Sequence, residues 1–463
     1  MPYRPLLCAD AGRLSRRQRM QRIGVRWILA LPDRRYEAAF KRLEARLNLG
    51  WSPSGRTNRN SILLTIGSLG AGGAERQLVG TLKALKARGY RNVGAACTYL
   101  STPQQRFFLP ELQAAGIAVS VIGAKCDQFI DPELRAMIEE LPEELCDVKN
   151  YVATFLAEHP QIVHLWLDEV NCKGGIAAVL TKVPRIILSQ RNVTPDNFGF
   201  HQPYMREAYR WLARAPGVAM INNSAAGARA YERWLRMPEG TISVVHNGFV
   251  FDETRVMEYR AARGSYLRRY GIADGVPVIG TVSRLSEEKR PFLWLSVAAE
   301  VRRLLPDAHF LVVGDGPLRA ALESRAGELG LAGAMHFAGN EKDVYNAMID
   351  MDLLVLMSRA EGLPNVLVEA QFLGVPVVTT RVGGAPETVD HGRSGWVLEG
   401  DDCRACAVRI VALLKDPTWL AAASRHAMAF ARARFGMGRA IEETLTVYGT
   451  LAHAVEVAAG KLS

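Results

Sequence analysis

No stretch of this 463-residue chain reaches the about 18–20 consecutive apolar residues that span a bilayer. The best early run, residues 27–31, is five residues long and follows Arg26. It is also too short for a signal-peptide core, and no small-residue cleavage site follows it. Residence in the cytosol is the expectation. A disulfide framework is missing too. The seven cysteines are an odd number and scattered: Cys8, Cys97, Cys126, Cys146, Cys172, Cys403 and Cys406. Cys403 and Cys406 form a CxxC without a second pair or a nearby His, inside DDCRACAVRIVALL, which reads as an amphipathic helix. Two half-buried helix cysteines are expected there, not a metal or redox centre.

Charge imbalance is absent from most of the chain. The formal net charge is +10, yet residues 1–60 alone hold fourteen Lys/Arg against four Asp/Glu. The remaining 403 residues balance at 43 basic and 43 acidic side chains. A basic leader attracts anionic lipid headgroups or RNA, or is simply solvated; the body is neutral and gives no nucleic-acid footprint. Apolar residues at 49% and charged ones at 22% describe an ordinary folded protein, and the length suits two domains.

Residues 1–60 are Arg-rich, with a short amphipathic helix expected at 36–47 and the turn-rich linker WSPSGRTNRN at 51–60. From Ser61 strands and helices alternate. SILLTIG, NVGAACTYL, IAVSVIG, IVHLWL, RIILSQ and TISVVH are short β-rich runs; GAERQLVGTLKALKARGY is a helix ending at Gly89. A second series begins at Val276, with strands VPVIGTVSRL, AHFLVVGDG, AMHFAG, DLLVLMS and PVVTT and the helix PFLWLSVAAEVRRLL. Continuous apolar strands point to parallel sheets covered on both faces. The expected boundaries are a basic extension and linker at 1–60, an acceptor-side domain at 61–248, a donor-binding domain at 249–435, and a C-terminal helix at 436–463. The helical stretch at about 421–457 is longer than the second domain needs, and is expected to pack back on the first.

Ligands of open parallel sheets bind outside the carboxyl ends of the strands, and three polar clusters fall there. GSLGAGGAE at 67–75 follows the first strand and opens the first helix. Its glycines let backbone N–H groups approach a phosphate, or merely let helix and sheet pack closely. The G-x-G-x-x-G spacing and the G-K-[ST] ending are both absent, which disfavours a nicotinamide cofactor and excludes a P-loop. In SRLSEEK, Arg284 and Lys289 stand five residues apart in one loop, where both can reach a diphosphate. The third cluster, Ser358 to Ala370, follows a buried strand: Glu361 lies in the loop, Pro364 and Asn365 start a helix that Asn365 is expected to cap, and Glu369 sits one turn inside. The two carboxylates would bracket a ligand.

EGLPNVLVEA, followed by GVPVVTT and VGGAPETVDHGRSGWVLEGDD, resembles the donor-binding segment of retaining GT-B glycosyltransferases of family 4. GTVSRLSEEKRP, LVVGDGPLRAALE and HFAGNEKDVY resemble the preceding blocks, and GSLGAGGAERQL and VVHNGF the first-domain glycine loop and inter-domain segment. The resemblance implies an α/β GT-B architecture: two Rossmann-like domains facing across a cleft, with a C-terminal helix crossing back. It implies that Glu361 contacts the transferred sugar and Glu369 the donor ribose. Arg284 and Lys289 would grip the diphosphate with backbone groups at Gly362, Leu363 and Asn365. Ser283 belongs to the same loop, Gly72 and Gly73 approach the phosphate from the first domain, and the base lies near Gly339 and Asn340. No metal or other cofactor is expected, since two cations do a metal's work.

Two departures stand out. The family often places a His at the end of a first-domain strand, where this chain has Gln190-Arg191-Asn192. Arg191 is the expected replacement contact, with His164, His201 and His246 as further candidates. Arg290 stands where a glycine often follows the loop lysine, which is expected to alter loop shape more than charge. The activity implied is transfer of a hexose-type sugar from a nucleotide diphosphate sugar to a glycan or lipid-linked acceptor, with retention. Polysaccharide or glycoconjugate synthesis at the inner membrane face is the setting implied, residues 1–55 meeting anionic lipid. An epimerase, a phosphorylase or an inactive binding subunit on the same scaffold accounts less well for SRLSEEK together with EGLPNVLVE.

Overall fold

A computed structural model of the chain describes residues 34–48, 61–124 and 130–449. Much of the basic leader, the 51–60 linker, Cys8 and Cys126 lie outside the described residues. Thirteen described strands form two wholly parallel sheets. The first contains β1 (Ser61–Ile66), β2 (Asn92–Cys97), β3 (Ala118–Val121), β4 (Ile162–Trp166), β5 (Arg185–Gln190), β6 (Val218–Asn222) and β7 (Ser243–Val244), in the order β3-β2-β1-β4-β5-β6-β7. The second contains β8 (Val278–Val282), β9 (His309–Val313), β10 (Met335–Gly339), β11 (Leu353–Leu356), β12 (Val377–Thr380) and β13 (Gly395–Leu398), in the order β10-β9-β8-β11-β12-β13.

The continuous apolar runs reflect burial on both faces. In β1, Ile62, Leu64 and Ile66 pack into one core and Leu63 into another. In β11, Leu353 and Val355 face one layer of helices while Leu354 and Leu356 face the other. Each such side chain removed from water stabilises the fold by roughly 1.5–3 kcal/mol. Strands β6 and β13 were not expected from the sequence. VAMIN and GWVL are short, and the first ends in asparagine while the second opens on glycine.

The order of each sheet reverses once, between β1 and β4 and again between β8 and β11. A crevice opens at such a point because the neighbouring crossover connections leave in opposite directions. The glycine-rich loop follows β1, the Arg284–Lys289 loop follows β8, and the Glu361 loop follows β11. All three are thereby brought to the same edge of their sheets.

The end of the described chain is not one long helix. Helix Pro417–Phe435 packs on Asn365–Phe372, and helix Met437–Tyr448 crosses to pack on Gly73–Ala87 of the first domain. The break is Gly436, in extended conformation. Phe249 reads both sides of it: its N–H donates to Phe435 O at 2.8 Å and its C=O accepts from Met437 N at 2.8 Å. Next to it, a Cβ on Gly248 would lie 2.6 Å from the Ala440 Cβ, so only glycine lets the connector pass beneath the crossing helix.

The amphipathic helix forms over Arg34–Asn48, and its apolar face is already occupied. Tyr36, Phe40 and Leu43 are buried against the first domain, with Phe40 stacked on Trp211 at 5.5 Å. Any contact this helix makes with a lipid surface is left to its charged face. None of the described helices is long and apolar enough to cross a membrane. Cys403 and Cys406 open the helix Cys403–Leu414, and no cluster of three His, Cys, Asp or Glu among the described residues is placed to hold a metal ion.

Candidate active site

A cleft of about 850 Å³ separates the two domains. Its second-domain wall holds Ser283, Arg284, Lys289, Asn340, Glu361, Gly362, Leu363, Asn365 and Glu369. Gly73 and Arg191 stand on the opposite wall. Most of the residues singled out in the sequence therefore share one cavity. Gly72 and Gly339 do not line it. Gly72 precedes the Gly73–Ala87 helix as its cap residue, and Gly339 turns at positive φ where a Cβ would meet the Arg319 guanidinium at 2.9 Å.

The β8 loop closes with the short turn Glu287–Lys289 and enters the helix Pro291–Leu304 through Arg290. Arg290 sits at φ +51°, in the left-handed region. Arg290 thus adopts a backbone conformation that favours glycine, at a cost of about 1–2 kcal/mol. Lys289 Nζ lies 2.6 Å from Glu361 Oε1, which also accepts from Ser358 Oγ. Arg284 is exposed and has no carboxylate partner among the described residues.

Helix Asn365–Phe372 starts after Pro364 without a side-chain cap. Asn365 was expected to cap it and does not, because its side chain is engaged across the cleft: Nδ2 donates to Gly73 O at 3.2 Å and Oδ1 accepts from Asn247 Nδ2 at 2.6 Å. Leu367 N donates to Pro364 O at 3.2 Å, while the N–H groups of Asn365 and Val366 remain available to an anion, which the helix dipole favours. Glu369 is buried and accepts from Arg76 Nη1 of the first domain at 2.5 Å. Its charge raises the Arg76 pKa further.

On the first-domain wall the Arg191 guanidinium carbon sits over the Trp166 ring, 3.5 Å from its centroid, and Nη1 donates to Asn247 Oδ1 at 3.0 Å. Leu167, next along, lines the cleft at φ +74° and ψ 155°, a backbone region almost reserved for glycine. It is held there by Leu167 N to Ser189 O at 3.1 Å and Asn171 N to Leu167 O at 2.8 Å. Such strain, of order 1–3 kcal/mol, persists where the surroundings fix a functional surface.

None of the three candidate histidines reaches the cleft. His164 is buried mid-strand, bonded to Tyr448 Oη at 2.9 Å, and burial drives its pKa well down. His201 packs beside Trp234. His246 pairs with Glu387 at 3.0 Å, and Glu387 in turn accepts from Ala225 N and Ala226 N at 2.8 Å, a strut between the domains. Sequence reasoning missed Arg76, Asn247, Asn223, Leu167 and the half-exposed Phe107 on the first-domain wall. Arg76 alone carried a signal, as the cation that follows the glycine loop.

The donor-side wall coincides with a recognisable unit: residues 276–416 match the family described as Glycosyl transferases group 1. That segment is a group 1 glycosyltransferase domain. Over 360 residues, 73% of this chain, the protein is 33% identical to the Vi polysaccharide biosynthesis protein VipC/TviE of Salmonella typhi and spans 62% of that relative's length. Over 177 residues, 36% of this chain and 46% of the relative, it is 37% identical to the GDP-mannose-dependent alpha-(1-6)-phosphatidylinositol monomannoside mannosyltransferase of Mycolicibacterium smegmatis. Among solved structures, Anabaena Alr3699/HepE in complex with UDP and glucose aligns with a TM-score of 0.69 at 22% identity, covering 84% of this chain and 99% of that one. The fold is GT-B, and the expected architecture of two Rossmann-like domains with a returning C-terminal helix stands.

Proposed function

We propose that the protein transfers a hexose-type sugar from a nucleotide diphosphate sugar to a glycan or lipid-linked acceptor, in polysaccharide or glycoconjugate synthesis. One observation carries the reading: Arg284, Lys289 and an uncapped helix start meet in one cleft with two buried carboxylates, Glu361 and Glu369. The cations and helix N–H groups suit a diphosphate, and a carboxylate on each side suits the hydroxyls of a sugar and a ribose. The nucleotide-dependent activity named for the mycobacterial relative and the UDP held by the Anabaena protein support the same donor class.

In this reading the bond between the anomeric carbon and the diphosphate breaks while the acceptor oxygen bonds that carbon on the same face. The acceptor's proton passes to the departing phosphate oxygen. Arg284 and Lys289 stabilise the charge that builds on the leaving group, with no metal required. Configuration is therefore retained without a protein nucleophile. Lys289 first has to share or leave Glu361, so its bond reorganises as donor binds.

The basic leader, fourteen Lys/Arg to four Asp/Glu over residues 1–60, supports peripheral attachment to an anionic inner membrane face. Incubation with UDP-, GDP- and ADP-sugars tests the transferase reading. Slow nucleotide release from one donor class is expected, with the product's anomeric configuration unchanged by NMR; no release from any donor would refute it. Removing residues 1–55 should lower partitioning onto anionic vesicles, and unchanged partitioning would remove the membrane contact alone.

A further inference from the structure

We infer that Glu387 of the second domain is a positioning residue: its carboxylate holds the two first-domain segments that carry Asn223 and Asn247, and so sets where the first-domain wall stands against the donor. The inference rests on the transferase reading above and deepens it for the same cleft.

Two helix starts face the junction of the domains and are treated differently. Helix Asn365–Phe372 keeps the N–H groups of Asn365 and Val366 without a partner among the described residues. Helix Ala225–Leu235 of the first domain has its first three N–H groups filled, two of them from the other domain. Glu387 Oε2 accepts from Ala225 N and Oε1 from Ala226 N, both at 2.8 Å, and Ser224 Oγ accepts from Gly227 N at 3.0 Å. A carboxylate on two N–H groups at the positive end of a helix is a charge-assisted contact with a fixed direction.

The same carboxylate reaches a second segment. His246 Nε2 lies 3.0 Å from Glu387 Oε2. Both side chains are largely buried, Glu387 at 18% exposed and His246 at 12%. Burial alone would raise the Glu387 pKa; the bonds from His246 and the two amides bring it below the ordinary carboxylate value, so the group is ionised at neutral pH. Its two oxygens therefore gather donors from two places in the first domain.

Each place carries a side chain into the cleft. Asn223 stands just before Ser224 and donates Nδ2 to Arg191 O at 3.2 Å. Asn247 follows His246, accepts from Arg191 Nη1 at 3.0 Å and donates to Asn365 Oδ1 at 2.6 Å. Asn223, Asn247 and Arg191 line the cleft, while Glu387 and His246 stand behind its wall. Glu387 is itself firmly seated, in the turn Ala385–Thr388. Just before that turn, a Cβ on Gly384 would lie 2.1 Å from Gly362 O and 2.5 Å from the Ser224 Cβ. The Glu361–Gly362 loop, the Glu387 turn and the Ser224 helix start thus pack in one stack, which the Glu387 carboxylate ties together. A cleft wall displaced by about 1 Å loses up to about a hundredfold in turnover.

The test compares the full-length wild type with Glu387→Ala and Glu387→Gln. Hydrogen exchange read by mass spectrometry needs no substrate. Glu387→Ala should speed exchange by about tenfold or more in peptides carrying the Ala225 and Ala226 amides, and leave strands β8–β13 as protected as before. Isothermal titration with UDP or GDP, and nucleotide release from the donor that the panel selects, give the functional arm. In Glu387→Ala, kcat should fall about ten- to a hundredfold while nucleotide affinity stays within about twofold, because the diphosphate and ribose contacts belong to the second domain. Glu387→Gln keeps one acceptor oxygen and should fall between the two. Unchanged exchange at Ala225 and Ala226, kcat within about twofold of wild type in Glu387→Ala, or kcat and the fraction of protein binding nucleotide falling in parallel would each overturn the inference. Should the Ala protein not fold, the same split in Glu387→Gln decides. Those results leave the transferase reading standing, whereas a wild type that releases nucleotide from no donor removes that reading and this one with it, whatever the exchange shows.

Discussion

Arg76 of the first domain and Glu369 of the second form an ion pair at 2.5 Å across the cleft, on the carboxylate that a donor ribose would use. Nucleotide binding therefore competes with a bond between the domains. Arg76→Ala should tighten UDP or GDP binding several-fold, by removing the competitor. It should also lower the stability of the unliganded protein by about 1–2 kcal/mol, since Glu369 is left buried and unpaired; the figure is modest because the Arg76 side chain is 42% exposed. Isothermal titration and thermal melts with and without nucleotide check both parts, and the nucleotide-induced gain in Tm should be larger in the variant.

Binding and turnover should separate by residue. Glu369→Ala should mainly raise the KM for donor, because a ribose contact is equally strong before and during bond breaking. Arg284→Ala or Lys289→Ala should mainly lower kcat, by roughly 10²–10³, because they act on charge that develops in the transition state. Steady-state kinetics with the donor selected by the panel distinguish these patterns.

Arg290→Gly should stabilise the fold by about 0.5–1 kcal/mol, less than the full relief of left-handed strain because glycine is freer when unfolded. The Arg290–Asp401 ion pair it removes is exposed on the acid side and offsets little. Chemical denaturation should show the gain, with kcat/KM within about twofold of wild type.

His309 and His336 lie on adjacent strands with rings nearly parallel and Nδ1 to Nε2 at 3.0 Å, beside Tyr270. One nitrogen must stay unprotonated to accept. Burial lowers both pKa values, and each ring's neighbours, Arg302 for His309 and His309 for His336, lower them further. The unfolded chain then binds protons more readily than the fold. Stability should be full above the unfolded imidazole value of about 6.5 and fall as pH drops through it. Melting temperatures at pH 5.5 and 7.5 should differ less in His336→Gln than in wild type.

Much of this was legible in the sequence, for reasons that particular residues show. DLLVLMS and SILLTIG read as strands because both faces of a parallel sheet are covered, and EGLPNVLVEA read as loop and helix because Pro364 can only start one. What lay hidden was spatial. Arg76 and Glu369 are 293 positions apart, and nothing local joins them. Asn365 looked like a cap because caps are local bonds; it instead reaches Gly73 and Asn247 in the other half of the protein. The histidines drew attention by residue type, yet His164 lies in the middle of a central strand, where both faces are closed.

The most direct test of the account is a crystal structure with the nucleoside diphosphate that the donor panel selects. Diphosphate oxygens should lie within hydrogen-bond distance of Arg284 and of the N–H groups that open the Asn365–Phe372 helix, with Glu369 on the ribose and Arg76 displaced from it. A nucleotide bound outside this cleft, or one bound here with the Arg76–Glu369 pair intact, would contradict it.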